Sequence, residues 1–289
     1  MSNFDLMQGV NQLWQGLVFI VVVLVFMFLM KLWRDWRTHF DSDEEVEERS
    51  NLAVGLRRAG LYLAIAIAMV GAVSGSPQGF VPDITALVID GILAVILLAG
   101  ARIFNDYVTL GKVDNDTEAK SGNVAVGLVE AGSIVATGLI LYGAFVGESP
   151  DLLNGVLSVL VFAVLGQIAL LLFYEAYQFI TPFDVKHEIR SGNPAAGAAV
   201  AGMLIALGFI LKASIAGPFV GWVDDIVSFA IYAVIGILVL LLFRKVIDWL
   251  FLPNTNLAAE VARDQNVAAI VMAQGAIIAV ALVISAAII

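Results

Sequence analysis

The chain has 289 residues, of which 61% are hydrophobic and 14% charged, with mean hydropathy +0.95 and formal net charge −10 at pH 7. Ordinary soluble domains carry about a quarter charged residues, so this composition excludes one. The absence of cysteine excludes a disulfide framework and a thiolate metal site.

Apolar stretches near the length that crosses a bilayer, about 20 residues, follow one another along the chain. Residues 6–30 come first. The segment before them has no basic cluster, so no cleaved leader is expected and the first helix stays. Next come 59–82, 84–101 with Asp90, 123–146 with Glu130, 152–174, 191–211, 226–243 and 265–289. Backbone polar groups in hydrocarbon need partners within their own segment, so all eight are read as helices. The fold class is an all-α membrane protein with eight transmembrane helices. Fourteen of the fifteen Lys and Arg lie in segments 31–58, 102–120, 186–190 and 244–263, which fall on one side; Lys212 lies opposite. The basic side is expected to be cytoplasmic, with both termini outside.

Four near-copies of one pattern start the even-numbered helices. They are Asn51-Leu-Ala53-Val-Gly55-Leu-Arg-Arg-Ala59-Gly60, Asn123-Val-Ala125-Val-Gly127-Leu-Val-Glu-Ala131-Gly132, Asn193-Pro-Ala195-Ala-Gly197-Ala-Ala-Val-Ala201-Gly202 and Asn266-Val-Ala268-Ala-Ile270-Val-Met-Ala-Gln274-Gly275. They begin 72, 70 and 73 residues apart. Such a period means one supersecondary unit used four times, here a two-helix hairpin. The expected repeats are 1–82, 83–149, 150–217 and 218–289. An even number of helices per unit makes successive repeats parallel, not inverted.

Asn51, Asn123, Asn193 and Asn266 are good N-caps. Gly55/Ala59, Gly127/Ala131 and Gly197/Ala201 are small residues four apart, which let helix backbones approach closely in lipid; Gly60, Gly132, Gly202 and Gly275 extend the packing set. One reading of the motif is a capped, closely packed helix. The other has the four Asn side chains converging on a common axis at a cytoplasmic constriction. The fourth copy, with Ile270 and Gln274 in place of the small pair, suggests that the last helix faces different neighbours or lipid.

The Asn-x-Ala-x-small…Ala-Gly pattern, with Glu118 or Glu188, then Lys120 or Arg190, then Gly122 or Gly192 before it, resembles the YjfL-like family of bacterial inner-membrane proteins, catalogued as domain of unknown function 350. Two tandem copies of that domain would cover nearly the whole chain. The resemblance implies a protein of the bacterial cytoplasmic membrane without an established reaction. It also implies a role in envelope maintenance, since relatives are often encoded near phage-shock-type coat proteins and polyamine-conjugating ligases. The first copy departs from the pattern by carrying Arg57 and Arg58 inside its helix.

No nucleophile elbow, phosphate loop or metal-spaced histidine pair appears; His39 and His187 fall in linkers. No catalysis, cofactor or resident metal is expected. Ionisable groups within the bilayer carry more meaning, because they are costly unless paired or hydrated. Arg58 and Glu130 share one repeat position, about 10 Å inside the helix end, and are expected either to form a structural ion pair or to gate a polar pathway. Asp90 is expected as a lip carboxylate or pore acid on the outer side, and Gln167 and Gln274 as helix–helix hydrogen-bonding groups. Inbound helices continue past the membrane as aromatic cuffs around Trp33, Trp36 and Phe40, at 173–180 and at 243–251, fit for interfacial anchoring or a partner. The acidic run 41–48 argues against nucleic acid and against anionic headgroups. The bilayer aside, the expected partners are a cation or small solute, a cytoplasmic peripheral protein, or further copies of the chain. Two functions follow: a channel or carrier with the Asn set, Arg58, Glu130 and Asp90 on its route, or a non-enzymatic scaffold recruiting an envelope-stress partner.

Overall fold

Each repeat turns at its Asn. In a computed structural model describing residues 6–75, 77–108, 114–147, 149, 151–252 and 255–288, Asn51, Asn123 and Asn193 hold extended backbone angles. Their Oδ1 atoms accept from Val54 N, Val126 N, and Ala195 and Ala196 N; Asn266 Oδ1 accepts from Ala269 N. The residue just before the Asn is left-handed each time: Ser50, Gly122, Gly192 and Gln265. Met1–Asp5, Lys112, Glu148 and Pro253 lie outside the described residues.

Three kinds of helix alternate. Inbound helices are α1 (Leu6–Arg37), α4 (Phe80–Val108), α7 (Leu152–Ile180) and α10 (Trp222–Phe251). Short linker helices are α2 (Ser42–Glu47), α5 (Asn115–Lys120), α8 (Val185–Arg190) and α11 (Leu257–Ala262). Outgoing helices are α3 (Leu52–Val73), α6 (Val124–Val146), α9 (Pro194–Ile215) and α12 (Val267–Ile288). Among the described residues eight helices are long and apolar enough to cross a bilayer. The linker helices were absent from the sequence reading, although their N-caps Asp41, Asp114, Asp184 and Asn256 were legible signals. The second membrane helix begins at Leu52 behind its Asn51 cap and carries Arg57 and Arg58 inside it, as its copy of the motif implied.

The outgoing helices form a row, α3 against α6, α6 against α9 and α9 against α12. The inbound helices make a second layer: α4 packs on α3 and α6, α7 on α6 and α9, α10 on α9 and α12, and α1 beside α3 and α4. Counting from each Asn as position 1, one contact rule repeats along the row. Position 10 of one helix meets position 9 of the next: a methyl on Gly60 would lie 2.6 Å from Ala131 Cα, and one on Gly132 2.5 Å from Ala201 Cα. Position 5 meets position 3 of the preceding helix, Gly127 on Ala53 and Gly197 on Ala125. Deeper in, Gly138 meets Ala64 and Gly208 meets Ala136 (16 on 14), while Gly71 meets Tyr142 and Gly143 meets Lys212 (21 on 20). Backbones this close make dispersion contact along the helix, the main attraction available between apolar helices in lipid.

Two expectations are corrected here. The Asn side chains do not converge on an axis, because neighbours related by a shift along a row carry them side by side. Nor do the replacements in the fourth copy turn to lipid, although α12 exposes more of its surface than α6 and α9. Ile270 and Gln274 are buried, and Gln274 packs on Gly202 in the row's usual register, its Oε1 accepting no hydrogen bond among the described residues. Gly55 and Gly275, expected to pack, face open space within the chain.

Substituting leucine for Gly132 should therefore force α6 from α9 and cost at least the about 1–3 kcal/mol of an overpacked core. The same change at Gly55 should leave the fold intact. Thermal unfolding of the two variants in detergent checks this.

Candidate functional site: a buried charge cluster in the first block

α3 and α6 of the row, with α1, α4 and the linker helix α5, bring charged side chains together in the first block. Arg57 sits among the small residues of α3 that face α6 and is fully buried. Its Nε donates to Glu130 Oε2 of α6, and its Nη2 donates to Asp116 Oδ1 of α5 at 2.6 Å. Arg102 of α4 donates through Nη2 to the same Asp116 oxygen at 2.9 Å and lies 3.6 Å from Asp106. Arg34 of α1, 2% exposed, completes the group; its Nε and Nη2 donate to no partner among the described residues. Arg34, Arg57, Arg102, Asp106 and Glu130, with Asn105, Leu61 and Ile134, line a cavity of about 20 Å³, room for one water-sized group. A polar occupant there would meet donors on Arg34, Arg57 and Arg102 and an acceptor at Glu130 Oε1, all free of other hydrogen bonds. Three guanidiniums face three carboxylates, so the cluster is formally neutral and its burial is offset internally.

The expected Arg58–Glu130 pair is not formed. Arg58 instead binds Asp35 at 2.9 Å and Asp43 at 2.5 Å, next to the Lys31–Asp43 pair at 2.8 Å. The reason is geometric. Helices related by a shift along a row point equivalent positions the same way, so position 8 of α3 cannot face position 8 of α6. Arg57, one residue and about 100° earlier, does face it. The sequence signal was present in the Arg57-Arg58 doublet, but equal repeat position was the wrong criterion.

From the cluster a polar track runs inward along α6. Glu130, Ser133 and Thr137 share the face turned to the inbound layer. Asn105 Nδ2 donates to Ser133 Oγ at 2.6 Å, and Gln167 Nε2 of α7 donates to Thr137 Oγ1 at 2.9 Å. The Gln167 bond matches its expected helix–helix role. Thr137 lies fourteen residues beyond Asn123, about 20 Å along the helix at about 1.5 Å per residue. Asp90 is not part of this group. It sits toward the other end of α4, in a shallow hollow with Val81, Pro82, Thr85 and Leu152.

The Asn set serves the row. Asn51 Nδ2 donates to Ala119 O and Lys120 O of the next linker at 3.0 and 3.1 Å, Asn123 to Ile189 O at 3.0 Å and Asn193 to Val261 O at 2.8 Å. Glu118 and Glu188 hold the same amides from their own repeat, at 3.0 and 2.7 Å. Each Asn thus caps its own helix and clasps its neighbour's linker.

The second half of the chain lacks the cluster. Thr38 and Thr181 bond back one turn alike, to Arg34 O and Tyr177 O, so Tyr177 stands where Arg34 does. Motif positions put Ala199 and Ala273 in place of Arg57 and Glu130, and the linker register puts Ala258 in place of Asp116. Arg244, the counterpart of Arg102, lies over the Tyr177 ring at 4.8 Å.

Row, hairpin layer and buried charges together define a multi-pass helical transmembrane protein of tandem repeats. The chain belongs to the family described as Domain of Unknown Function (DUF350), whose model matches it twice, over residues 7–145 and 151–288. It is also similar to a UPF0719 transmembrane protein of Aquifex aeolicus (strain VF5), 22% identical over 231 residues, spanning 80% of this chain and 84% of that one. No solved structure matches it.

Two outcomes are expected. Glu130→Gln, which leaves Arg57 short of a charge partner, should cost about 3–5 kcal/mol, whereas joint replacement of Arg57 and Glu130 by Met should cost less; Arg58→Met should cost about 1 kcal/mol. Folded yield and thermal unfolding measure all three. The second concerns pH. Burial opposes ionisation of Asp116, but the Arg57 and Arg102 charges outweigh it and hold the carboxyl below its ordinary value. Its stabilisation is therefore present above the ordinary Asp pKa of about 3.9 and is lost as pH falls through the lower folded-state value. Asp116→Asn should flatten the decline in unfolding temperature as pH drops below about 4.

Proposed function

We propose that this transmembrane protein passes a cation or another small solute across the bilayer, by a route beside α6 in the first block and not between the outgoing helices. The observation that carries this reading is the half-buried polar track from the Arg57–Glu130 cluster through Asn105 and Ser133 to Thr137 and Gln167. Polar side chains that deep in hydrocarbon are costly and mark pathways more often than lipid-facing surface. At the opposite end of the helices a hollow of about 230 Å³ opens among α6, α7, α9 and α10, lined by Ser149, Ser158, Ser214, Asp225 and Ser228 with Phe162. In this reading the linker side is cytoplasmic and the termini lie outside, in a bacterial cytoplasmic membrane. The protein's own residues bind and orient the solute without a catalytic step.

A second reading, a scaffold that recruits an envelope-maintenance protein, is favoured by the cuffs. Trp36 and Phe179 hold one repeat position, two residues before Thr38 and Thr181, and are 81% and 90% exposed; Trp249 near the end of α10 is 78% exposed.

Flux through purified protein in liposomes separates the two, with Na⁺, K⁺, Mg²⁺ and a polyamine as probes. Gln167→Leu, with the fold intact, is expected to cut flux at least tenfold. Flux unchanged in that variant overturns the route. Absence of flux for every probe overturns transport and leaves the scaffold.

A further inference from the structure

The contact rule of the row has two halves, and each end of the row carries one half unused. A helix offers positions 3, 10, 14 and 21 to the helix after it and receives the helix before it on positions 5, 9, 16 and 20. Among the described residues no further row helix packs on the offering positions of α12, which are Ala268, Gly275, Ala279 and Ala286, all small and all exposed. They reproduce the Ala53, Gly60, Ala64 and Gly71 set by which α3 holds α6. Likewise no described row helix packs on the receiving positions of α3, which are Gly55, Ala59, Ala66 and Val70, half-buried or exposed. A helix edge meeting only lipid has no need of small residues in this register; around them Val271, Met272, Leu282 and Val283 are large and exposed.

Two observations outside the helix contacts agree. Asn51, Asn123 and Asn193 each clasp a carbonyl of the following linker, whereas Asn266, capping α12, is exposed and makes no onward bond among the described residues. The matching carbonyl of the first linker is that of Val46. It follows Glu45, whose carbonyl accepts from Asn51 N, as Val261 follows Glu260, whose carbonyl accepts from Asn266 N. The inbound layer is also displaced along the row. α4, α7 and α10 each pack on the outgoing helix before their own as well as on their own, whereas α12 is covered by α10 alone and α1 covers α3 alone.

We infer that the protein associates head to tail with further copies of itself, α12 of one copy receiving α1 and α3 of the next. Gly275 meets Ala59 and Asn266 Nδ2 meets the Val46 carbonyl, in the register that joins the repeats within the chain. The contact is heterologous, so the copies close into a ring or extend the row according to the rotation between them. The inference is independent of what, if anything, the protein transports.

The chain contains no cysteine, so single introduced thiols report the contact without background. Ala59→Cys and Gly275→Cys are placed in separately tagged copies, co-expressed in membranes and oxidised. Disulfide-linked dimers are expected between the two variants, and at least tenfold fewer when either is expressed alone. Cross-linking of either variant with itself would mean a two-fold edge contact and overturn the inference, as would no cross-linking in any combination. Gly275→Leu, which meets only open space within one copy, is expected to leave the unfolding temperature of the dilute protein unchanged and to shift its mass in mild detergent to that of a single chain. Retention of a larger mass overturns the inference.

Discussion

Everything in this molecule follows from backbone-to-backbone contact between parallel helices displaced by one repeat. Small residues at positions 3, 5, 10, 14, 16 and 21 let outgoing helices approach until the Cα of one lies where a methyl of the next would be. Apolar side chains gain nothing over lipid by meeting one another, so close dispersion contact does the holding. A row packed this closely has no room for a passage between its members. Side chains too large for the contact must turn to the inbound layer or out to lipid.

That constraint explains where polarity is found. Glu130, Ser133 and Thr137 lie on the one α6 face that still has volume beside it, against α4 and α7. Arg57 is the exception. It starts from the contact face of α3, and its long side chain reaches the same layer, where the Glu130 and Asp116 carboxylates offset its burial. The charges belong to one half of the chain. In the other half Tyr177 and three alanines stand in place of Arg34, Arg57, Asp116 and Glu130, while Arg244 and Asp248 persist as counterparts of Arg102 and Asp106, Arg244 over an aromatic face. The two halves share a frame, and one has been given a polar interior.

The linker side adds a second form of continuity. Each Asn both stops its own helix and fixes the next linker, so the short helices α5, α8 and α11 are registered to the row by hydrogen bonds as well as by packing. The exposed aromatics at Trp36, Phe179 and Trp249 end the inbound helices on this side.

The sequence by itself determined the eight helices, the fourfold hairpin, the Asn caps and the close-packing role of Gly60, Gly127, Gly132 and Gly197. All depend on local rules: apolar length, capping chemistry and small residues at helical spacing. The same rules placed Glu130 inside the helix bundle and Gln167 in a bond across helices. The pairing partner of Glu130, the row in place of a ring, the place of α12 in it and the isolation of Asp90 from the cluster were decided by tertiary structure. Each depends on the direction in which one repeat is displaced from the next. A periodic sequence carries the same residues whether its units are related by rotation about an axis or by a step along a line, but only the step turns equal positions the same way and makes Arg57, not Arg58, the partner of Glu130.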